Sequence, residues 1–324
     1  MQLRQALHAA IQRLGVEGVP SPRMNAELLI MFTLDCDRAY LYAHPEREFS
    51  ADEVARYDAA LARRAAGEPA QYITGHQEFW GMDLIVSPAV LIPRPETEHV
   101  VEAVLELVSA VGRTRDQGQE QDLKQDLEQE QEQDQNQEQN QEQNQDQQSR
   151  TGVSAPHILR IVDVGTGSGA IALALAREMP WAEIYATDIS AEALEVARAN
   201  AARLELTSRI IFHRADLLNG FPPKHFDFVV SNPPYVGESE EDEVQLEVRK
   251  FEPGGAVFAG PTGLEVIERL IPQAREALRP GGWLVFEISG TIADGVRGLL
   301  AGWDEVRIKN DLQGIPRVAV ARKR

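Results

Sequence analysis

From residue 158 to residue 321, predicted strands and helices alternate regularly, and few folds are compatible with this alternation. Apolar runs predict seven strands, at 158–164, 183–187, 210–213, 226–230, 283–288, 305–309 and 317–321. Between the strands, the spacing of apolar residues predicts helices at 170–178, 191–204, 264–278 and 292–300. Such alternation builds an α/β fold with a doubly wound, mostly parallel seven-stranded sheet, whose ligands bind at the carboxyl ends of the strands. A short polar turn joins the last two strands and indicates one antiparallel edge strand.

Helical apolar spacing also dominates the N-terminal region. Ser21 is a candidate N-cap, and Ser50 with Glu53 has the spacing of a capping box. We therefore expect a small helical domain at 1–75 and a second domain at 76–324. The helical domain has two open roles, as a stabilising cap or as a surface that recognises a partner.

The start of the second domain has its own pattern. Residues 70–92 hold short apolar and aromatic runs broken by glycine, which predicts short strands. The run Ile92-Pro93-Arg94-Pro95-Glu96-Thr97-Glu98 follows, with two prolines that favour extended backbone and acidic residues that suit the first turn of a helix. We expect that helix at 100–108.

A Gln-rich tract interrupts the second domain. It holds 15 Gln, 11 acidic residues and one Lys between Asp116 and Gln148, a charge of −10 out of the total of −19. Such a composition buries too little apolar surface to order itself, so we predict a disordered insertion at 113–152. The alternative is an acidic arm that binds a partner, or an aggregation-prone polar tract.

Charge and composition exclude several classes of protein. The chain outside the tract is still acidic, at −9, whereas nucleic-acid binders usually carry basic faces, so we expect no stable nucleic-acid binding. No apolar run approaches the roughly 20 residues of a membrane-spanning helix, and the first residues lack the apolar core of a signal peptide. One cysteine, Cys36, fits a reducing compartment, so the sequence predicts a cytoplasmic protein without a cysteine metal cluster.

A glycine-rich turn follows the first strand of the alternating region. In Asp163-Val164-Gly165-Thr166-Gly167-Ser168-Gly169, three glycines at alternate positions permit a tight turn with room for a ligand against the backbone. Asp188 ends the next strand, where a carboxylate can accept both hydroxyls of an adenosine ribose. Asp188 could instead cap the helix that follows, but Ser190 suits that position better.

The spacing of these glycines discriminates between two nucleoside cofactors. A dinucleotide site favours G-x-G-x-x-G, whereas the third glycine here comes one residue early and Ala170 follows it. The D-x-G-x-G-x-G form resembles the first motif of class I methyltransferases, which are Rossmann-like and bind S-adenosyl-L-methionine. The resemblance implies that residues 165–169 hold this cofactor and that Asp216 and Leu217 contact its adenine, although Asp216 could be a solvated loop residue. Asp163 would steady the turn or approach the methionine amino group.

The sequence Asn232-Pro233-Pro234-Tyr235, hereafter the acceptor tetrapeptide, follows a strand that ends near the predicted cofactor. Its prolines have fixed φ and no N–H, so the carbonyl before Pro234 is rigidly aimed. An amide or exocyclic amine whose two N–H groups donate to the Asn232 side-chain oxygen and the Pro233 carbonyl is held with its nitrogen toward the methyl donor. Tyr235 can pack on the planar acceptor. We expect Asn232, Pro233 and Tyr235 to be catalytic and all four residues to bind substrate, with no metal required.

Together these motifs, with Tyr72-Ile73-Thr74-Gly75 and Phe251-Glu252-Pro253, resemble the release-factor glutamine methyltransferases of the PrmC/HemK family. The resemblance covers nearly the whole chain outside 113–152. It implies methylation of the glutamine N5 in the Gly-Gly-Gln motif of class 1 peptide chain release factors, with a helical N-terminal domain that helps to hold the release factor. Asn232 would contact cofactor and substrate. The sequence departs from the family pattern at Leu217, where relatives often carry an aromatic residue, and at the insertion.

Three other functions share parts of this pattern. A ribosomal-protein glutamine methyltransferase has the same tetrapeptide, but the run from Pro93 to Glu98 favours the release-factor type. A nucleic-acid amino-methyltransferase uses the tetrapeptide on adenine or cytosine, and the acidic charge disfavours it. A non-catalytic S-adenosylmethionine-binding adaptor would not need an intact acceptor tetrapeptide.

Overall fold

Five helices precede the first strand in the computed structural model, which describes residues 1–110 and 158–324. The predicted insertion at 113–152 lies outside the described residues. The helices are α1 (Leu3–Val16), α2 (Pro22–Leu34), α3 (Arg38–Ala43), α4 (Ala51–Ala65) and α5 (Ala70–Thr74). Their apolar faces share one core, which includes Leu14, Leu29, Tyr57 and Ile73. The N-terminal helical region is thereby confirmed.

Of the two helix caps predicted in the helical domain, one forms with its side-chain hydrogen bonds. The Ser50 hydroxyl accepts from the Glu53 N–H at 3.2 Å, and the Glu53 carboxylate accepts from the Ser50 N–H at 2.8 Å, so the capping box starts α4. Ser21 occupies the N-cap position of α2, as predicted, but it has φ +48 and its side chain accepts no hydrogen bond from the helix. Pro22 is the first helical residue, a position that its φ already suits.

The prediction of strands throughout 70–92 is partly wrong. Residues Ala70–Thr74 form helix α5, which ends at Gly75 with φ +80. Two short strands follow, β1 (His76–Phe79) and β2 (Met82–Ile85), paired as an antiparallel hairpin. A short apolar run has no period that separates strand from helix, and the Tyr72 hydroxyl, which donates to the Val90 carbonyl at 2.6 Å, holds this one in place.

The second region contains the predicted seven-stranded sheet. Its strands are β3 (Arg160–Val164), β4 (Glu183–Asp188), β5 (Ile210–Arg214), β6 (Phe226–Ser231), β9 (Leu278–Glu287), β10 (Asp304–Asn310) and β11 (Pro316–Arg322), in the order β10-β11-β9-β6-β3-β4-β5. All neighbours pair in parallel except β11, which is antiparallel to both β9 and β10. The mostly parallel α/β class is confirmed.

The position of the antiparallel strand differs from the prediction. We expected it at the edge, but β10 is the edge strand and β11 lies inside it. Residues 318–321 of β11 are all buried, whereas most of β10 is exposed and carries Arg307 and Lys309. A strand that is apolar on both faces needs two neighbours, and a charged strand tolerates the edge.

Helices cover both faces of the sheet. One face packs against the helix at 98–110, called α6, and against α7 (Ala170–Glu178), with Ile161 and Phe228 in the shared core. The other face packs against α11 (Glu265–Ala277) and α12 (Ala293–Leu299). The remaining elements are α8 (Ala191–Arg203), β7 (Val236–Gly237), α9 (Leu246–Phe251), α10 (Gly254–Val257) and β8 (Phe258–Gly260). Within the described ranges, no helix combines the length and apolar content needed to cross a membrane.

The strand order decides which loops meet. Strand β3 lies between β4 and β6, and all three run in the same direction. Their carboxyl ends therefore bring the glycine-rich turn after β3, Asp188 at the end of β4 and Asn232 after β6 to one edge of the sheet.

Candidate active site

The turn at 165–169, here called the glycine loop, has the backbone that its sequence predicts. Gly165, Gly167 and Gly169 have φ of +71, +55 and +87. The N–H groups of Gly165 and Thr166 both donate to the Thr187 carbonyl at 2.8 Å, which joins the loop to the end of β4.

The three glycines serve different purposes. A Cβ on Gly169 would lie 3.1 Å from Leu173 Cδ1 and 3.3 Å from Ala197 Cβ, so this glycine lets α7 and α8 approach closely. A Cβ on Gly165 or Gly167 would meet no atom within 4 Å, and both residues line a cavity. The loop therefore combines one glycine needed for packing with two that leave space for a ligand.

This first cavity, hereafter the cofactor cavity, has a volume of about 470 Å³. It brings together most of the predicted cofactor residues: Gly165, Thr166, Gly167, Ser168, Asp188, Asp216, Leu217 and Asn232. Gly169 lies behind its wall and is not a lining residue. Pro234 of the acceptor tetrapeptide lines the cavity as well.

Asp188 is held by backbone donors at the cavity wall. Its Oδ2 accepts from the Gly167 N–H and its Oδ1 from the Ser190 N–H, both at 2.9 Å. Burial nevertheless raises the pKa of Asp188, since it outweighs these hydrogen bonds. The Ser190 hydroxyl accepts a hydrogen bond from the Ala193 N–H at 3.0 Å and caps α8. Asp188 is therefore not the helix cap and can bind a ligand in the cavity.

Asp163 is buried beneath the glycine loop. Its Oδ2 accepts hydrogen bonds from the Thr166 hydroxyl at 2.6 Å and from the Ala172 N–H at 3.2 Å. Asp163 therefore steadies the loop, which is one of the two roles that the sequence left open. Burial raises its pKa to about 7. Its other oxygen, Oδ1, has no hydrogen-bond partner in the described part of the chain.

These residues fit S-adenosyl-L-methionine. Asp188 would offer the ribose hydroxyls a fixed carboxylate at the cavity wall, whereas Asp163 lies beneath the loop and does not line the cavity. The open side of Gly165 and Gly167 admits a ligand against the backbone.

The part of the cavity wall at Asp216 and Leu217 contains a residue that the sequence did not reveal. Arg269 of α11 lines the cavity and forms an ion pair with Asp216 Oδ2. The Asp216 side chain is 39% exposed, so it is a partly solvated residue that is also held by a cation at the cavity wall. Leu217 has φ +55, a backbone conformation uncommon for a branched residue, and the Thr187 hydroxyl donates to its carbonyl at 3.1 Å.

Asn200 is a second residue that sequence reasoning missed. It is fully buried on α8, and its Nδ2 donates to the Ser168 and Ile85 carbonyls, both at 2.9 Å. Its Oδ1 accepts from the Ile85 N–H at 2.6 Å. One side chain thus fastens the glycine loop to strand β2, and only an asparagine inside an apolar helix face could have signalled it.

A second cavity of about 520 Å³, hereafter the acceptor cavity, adjoins the first. The two cavities share Leu91, Asn232 and Ala256. Polar and charged side chains line much of the acceptor cavity, namely Arg94, Glu96, Tyr235, Glu243, Gln245, Glu287 and Arg317. Asn232 is thus the polar side chain that faces both spaces.

The side-chain amide of Asn232 has a fixed orientation. Its Nδ2 donates to Thr97 Oγ1 at 3.0 Å, and Thr97 is buried. Since the nitrogen is engaged, Oδ1 remains to accept a hydrogen bond from a bound acceptor. Thr97 belongs to the run from Ile92 to Glu98, hereafter the proline-rich run. The structure therefore gives that run a direct contact at the site.

The rest of the acceptor tetrapeptide divides between the two cavities and the core. The Tyr235 hydroxyl donates to Glu287 Oε1 at 2.9 Å, and burial raises the pKa of both groups. Thr97 lies near enough to Glu287 to favour its charged form, but it completes no hydrogen bond with Oε2. Pro233 is buried and, unlike the other three residues of the tetrapeptide, lines neither cavity.

The proline-rich run is itself fastened from a distance. Glu252, which is buried, accepts from the Ile92 N–H at 3.1 Å through Oε2 and pairs with Arg94 through Oε1. Glu252 belongs to the Phe251-Glu252-Pro253 motif. The two family motifs therefore form one contact, which holds Thr97 and Arg94 beside the tetrapeptide.

Similar proteins agree with this geometry. Residues 5–75 match the family model of the PrmC N-terminal domain, and residues 151–250 match that of the Methyltransferase small domain. A "Release factor glutamine methyltransferase" of Koribacter versatilis is 49% identical over 326 residues, 100% of this chain and 99% of that protein. One of Moorella thermoacetica is 39% identical over 299 residues, 92% of this chain and 89% of that protein.

A solved structure adds a likeness of fold alone. The hMettl16 catalytic domain in complex with MAT2A 3'UTR hairpin 1 is 16% identical, with a TM-score of 0.50 over 87% of this chain and 84% of that chain. The sequence relatives carry the stronger inference, because they match from end to end and include the helical region. The class I methyltransferase fold and S-adenosyl-L-methionine as the cofactor are confirmed. The chain belongs to the release factor glutamine methyltransferase family.

Proposed function

We propose that this enzyme transfers a methyl group from S-adenosyl-L-methionine to the N5 of the glutamine in the Gly-Gly-Gln motif of class 1 peptide chain release factors. The observation that carries the proposal is the place of Asn232, on the wall shared by the cofactor and acceptor cavities, with its nitrogen engaged by Thr97. The names of the relatives support the same substrate.

The reaction requires mainly that the protein orient the acceptor nitrogen toward the methyl group. When bound, the cofactor supplies an electrophilic methyl group on a sulfonium, which is an excellent leaving group. The glutamine nitrogen is a poor nucleophile, because its lone pair is delocalised into the amide. Asn232 Oδ1 and the Pro233 carbonyl accept its two N–H groups, and this draws the nitrogen toward tetrahedral geometry with its lone pair toward the methyl carbon. The methylated nitrogen then loses a proton to solvent.

The acceptor cavity suits an amide carried by a peptide. Tyr235 offers a ring face whose hydroxyl is fixed by Glu287, so it packs on a planar amide without turning. Arg94, Glu96 and Arg317 lie around it and can meet the polar backbone of a glycine-rich loop. The partner in this proposal is a release factor held in part by the helical domain 1–75, and the reaction is cytoplasmic.

The test is methyl transfer from labelled S-adenosylmethionine to four purified acceptors in parallel: a release factor, ribosomal proteins, tRNA and DNA. We expect label on the release factor alone, at the glutamine of Gly-Gly-Gln when the peptides are mapped by mass spectrometry. A release factor with that glutamine changed to alanine is the control and should take no label. Label on a ribosomal protein or a nucleic acid instead would overturn the assignment.

A further inference from the structure

Helix α9 forms part of the wall of the acceptor cavity. Val248 lies on α9, and Val244 and Gln245 lie immediately before it, and all three line the cavity. The helix has only six residues and none of them is buried. A helix this short holds its place through contacts with other parts of the protein rather than through its own stability.

The end of α9 nearer the cavity is attached to the helical domain by Arg64. This side chain, 4% exposed, donates from Nη2 to Glu247 Oε2 at 2.7 Å, from Nε to Asn25 Oδ1 at 2.8 Å and from Nη1 to the Glu68 carbonyl at 3.0 Å. Asn25 in turn donates to the Pro20 carbonyl at 2.8 Å, so the arginine is fixed by its own domain. Arg64 therefore presents a rigid cation to α9.

Further contacts hold the other end of the helix. Lys250 Nζ donates to the Ala66 carbonyl at 3.3 Å, and the Phe251 ring lies against Gly67. Glu252, the next residue, pairs with Arg94 and the Ile92 N–H, and Arg94 lines the acceptor cavity. The helical domain and the proline-rich run thus hold α9 between them.

We propose that the helical domain supports the wall of the acceptor cavity. Arg64 and Glu247 are positioning residues that keep α9 in that wall. The identity of the acceptor rests on the function proposed above. This role goes beyond recognition of a partner, because a domain that only bound the partner would change the affinity for it, whereas this one also changes turnover once the partner is bound.

The test uses the full chain with whole release factor as acceptor. Arg64→Met and Glu247→Gln should each lower kcat at saturating release factor by about tenfold, as expected for a lost charge-assisted hydrogen bond, while the Kd for S-adenosylmethionine stays within twofold. The double variant should be no worse than the poorer single one, because both remove the same contact. Arg56→Met is the matched control, since Arg56 pairs with Asp52 at the exposed face of the same helix.

A second measurement does not depend on activity. Amide hydrogen exchange of residues 244–251, without substrate, should be about tenfold faster in both single variants and unchanged in Arg56→Met. If Arg64→Met fails to fold, Glu247→Gln still decides, because it keeps the size of a side chain that is one-quarter exposed. A raised KM with normal kcat, or unchanged exchange in this segment, overturns the inference. If the parent does not methylate release factor, the proposed function fails, while the exchange result still decides whether Arg64 holds α9.

Discussion

The amide nitrogen of Asn232 donates to the Thr97 hydroxyl at 3.0 Å, across a sequence separation of 135 residues. An asparagine side chain that is free to turn presents its nitrogen or its oxygen to a ligand. Thr97 removes that freedom, so the oxygen faces the acceptor, and an oxygen is what an incoming N–H needs. The side-chain amide of Asn232 is therefore oriented by a residue outside the acceptor tetrapeptide.

Replacement of Thr97 should slow methyl transfer and leave cofactor binding unchanged. Thr97→Val keeps the shape but removes the hydrogen-bond acceptor, which contributes about 1 kcal/mol, so kcat should fall by about fivefold to tenfold. Steady-state kinetics and cofactor titration measure the two effects. Thr97→Ser should restore most of the activity, and a valine variant with parental kcat would remove Thr97 from the mechanism.

Replacement of Asn232 should have a much larger effect on transfer. Asn232→Ala removes the acceptor for the substrate N–H, and loss of one such positioned group costs about 100-fold to 1,000-fold in kcat. The Kd for S-adenosylmethionine, measured by calorimetry, should change only by a modest factor, because Asp188 and the glycine loop remain. Equal transfer rates in variant and parent would end the proposed role of Asn232.

Asp163 should make the stability of the fold depend on pH. Its folded-state pKa of about 7 lies above the ordinary value of 3.8, so the folded protein binds the proton more tightly than the unfolded chain. The contribution of Asp163 to stability is therefore largest below about pH 4 and falls as the pH rises to about 7, by about 1.4 kcal/mol per pH unit at most. Urea unfolding at pH 5 and pH 8 measures this effect. The free energy of unfolding should fall more from pH 5 to pH 8 for the parent than for Asp163→Asn. The opposite difference would contradict the burial of this group.

Two alanine substitutions should separate packing from ligand binding in the glycine loop. Gly169→Ala adds a Cβ that crowds Leu173 and Ala197 at a positive φ, and should cost about 2–4 kcal/mol of unfolding free energy. Gly165→Ala meets no protein atom and should cost about 1–2 kcal/mol from its backbone alone, yet weaken cofactor binding. Thermal unfolding and cofactor titration of the pair test this, and an equal loss of stability in both would refute the packing role.

Removal of residues 113–152 should leave methyl transfer nearly unchanged. The tract is rich in Gln and acidic residues and offers almost no apolar side chain for a core, so its loss removes little that stabilises the fold. Unfolding midpoint and kcat of the deletion variant provide the measurement. Loss of folding on deletion would show that the insertion has a structural role.

Much of the cofactor side could be predicted from the sequence, because its signals are local. The glycine loop requires positive φ at three alternate positions, and glycine provides it. Asp188 ends its strand beside that loop because adjacent parallel strands end at one edge. Arg269 and Asn200 were missed, since neither has a local pattern that distinguishes it from an ordinary helix residue.

The alternating α/β core and the backbone of the glycine loop follow from the amino-acid sequence, because both depend on the conformational preferences of neighbouring residues. The contacts across long separations form only in the folded protein: Thr97 with Asn232, Glu252 with Arg94 and Arg64 with Glu247. The tertiary structure also placed β11 inside the sheet and made 70–74 a helix. Such contacts depend on how buried polar groups find partners when the whole chain closes, and no short stretch of sequence contains that information.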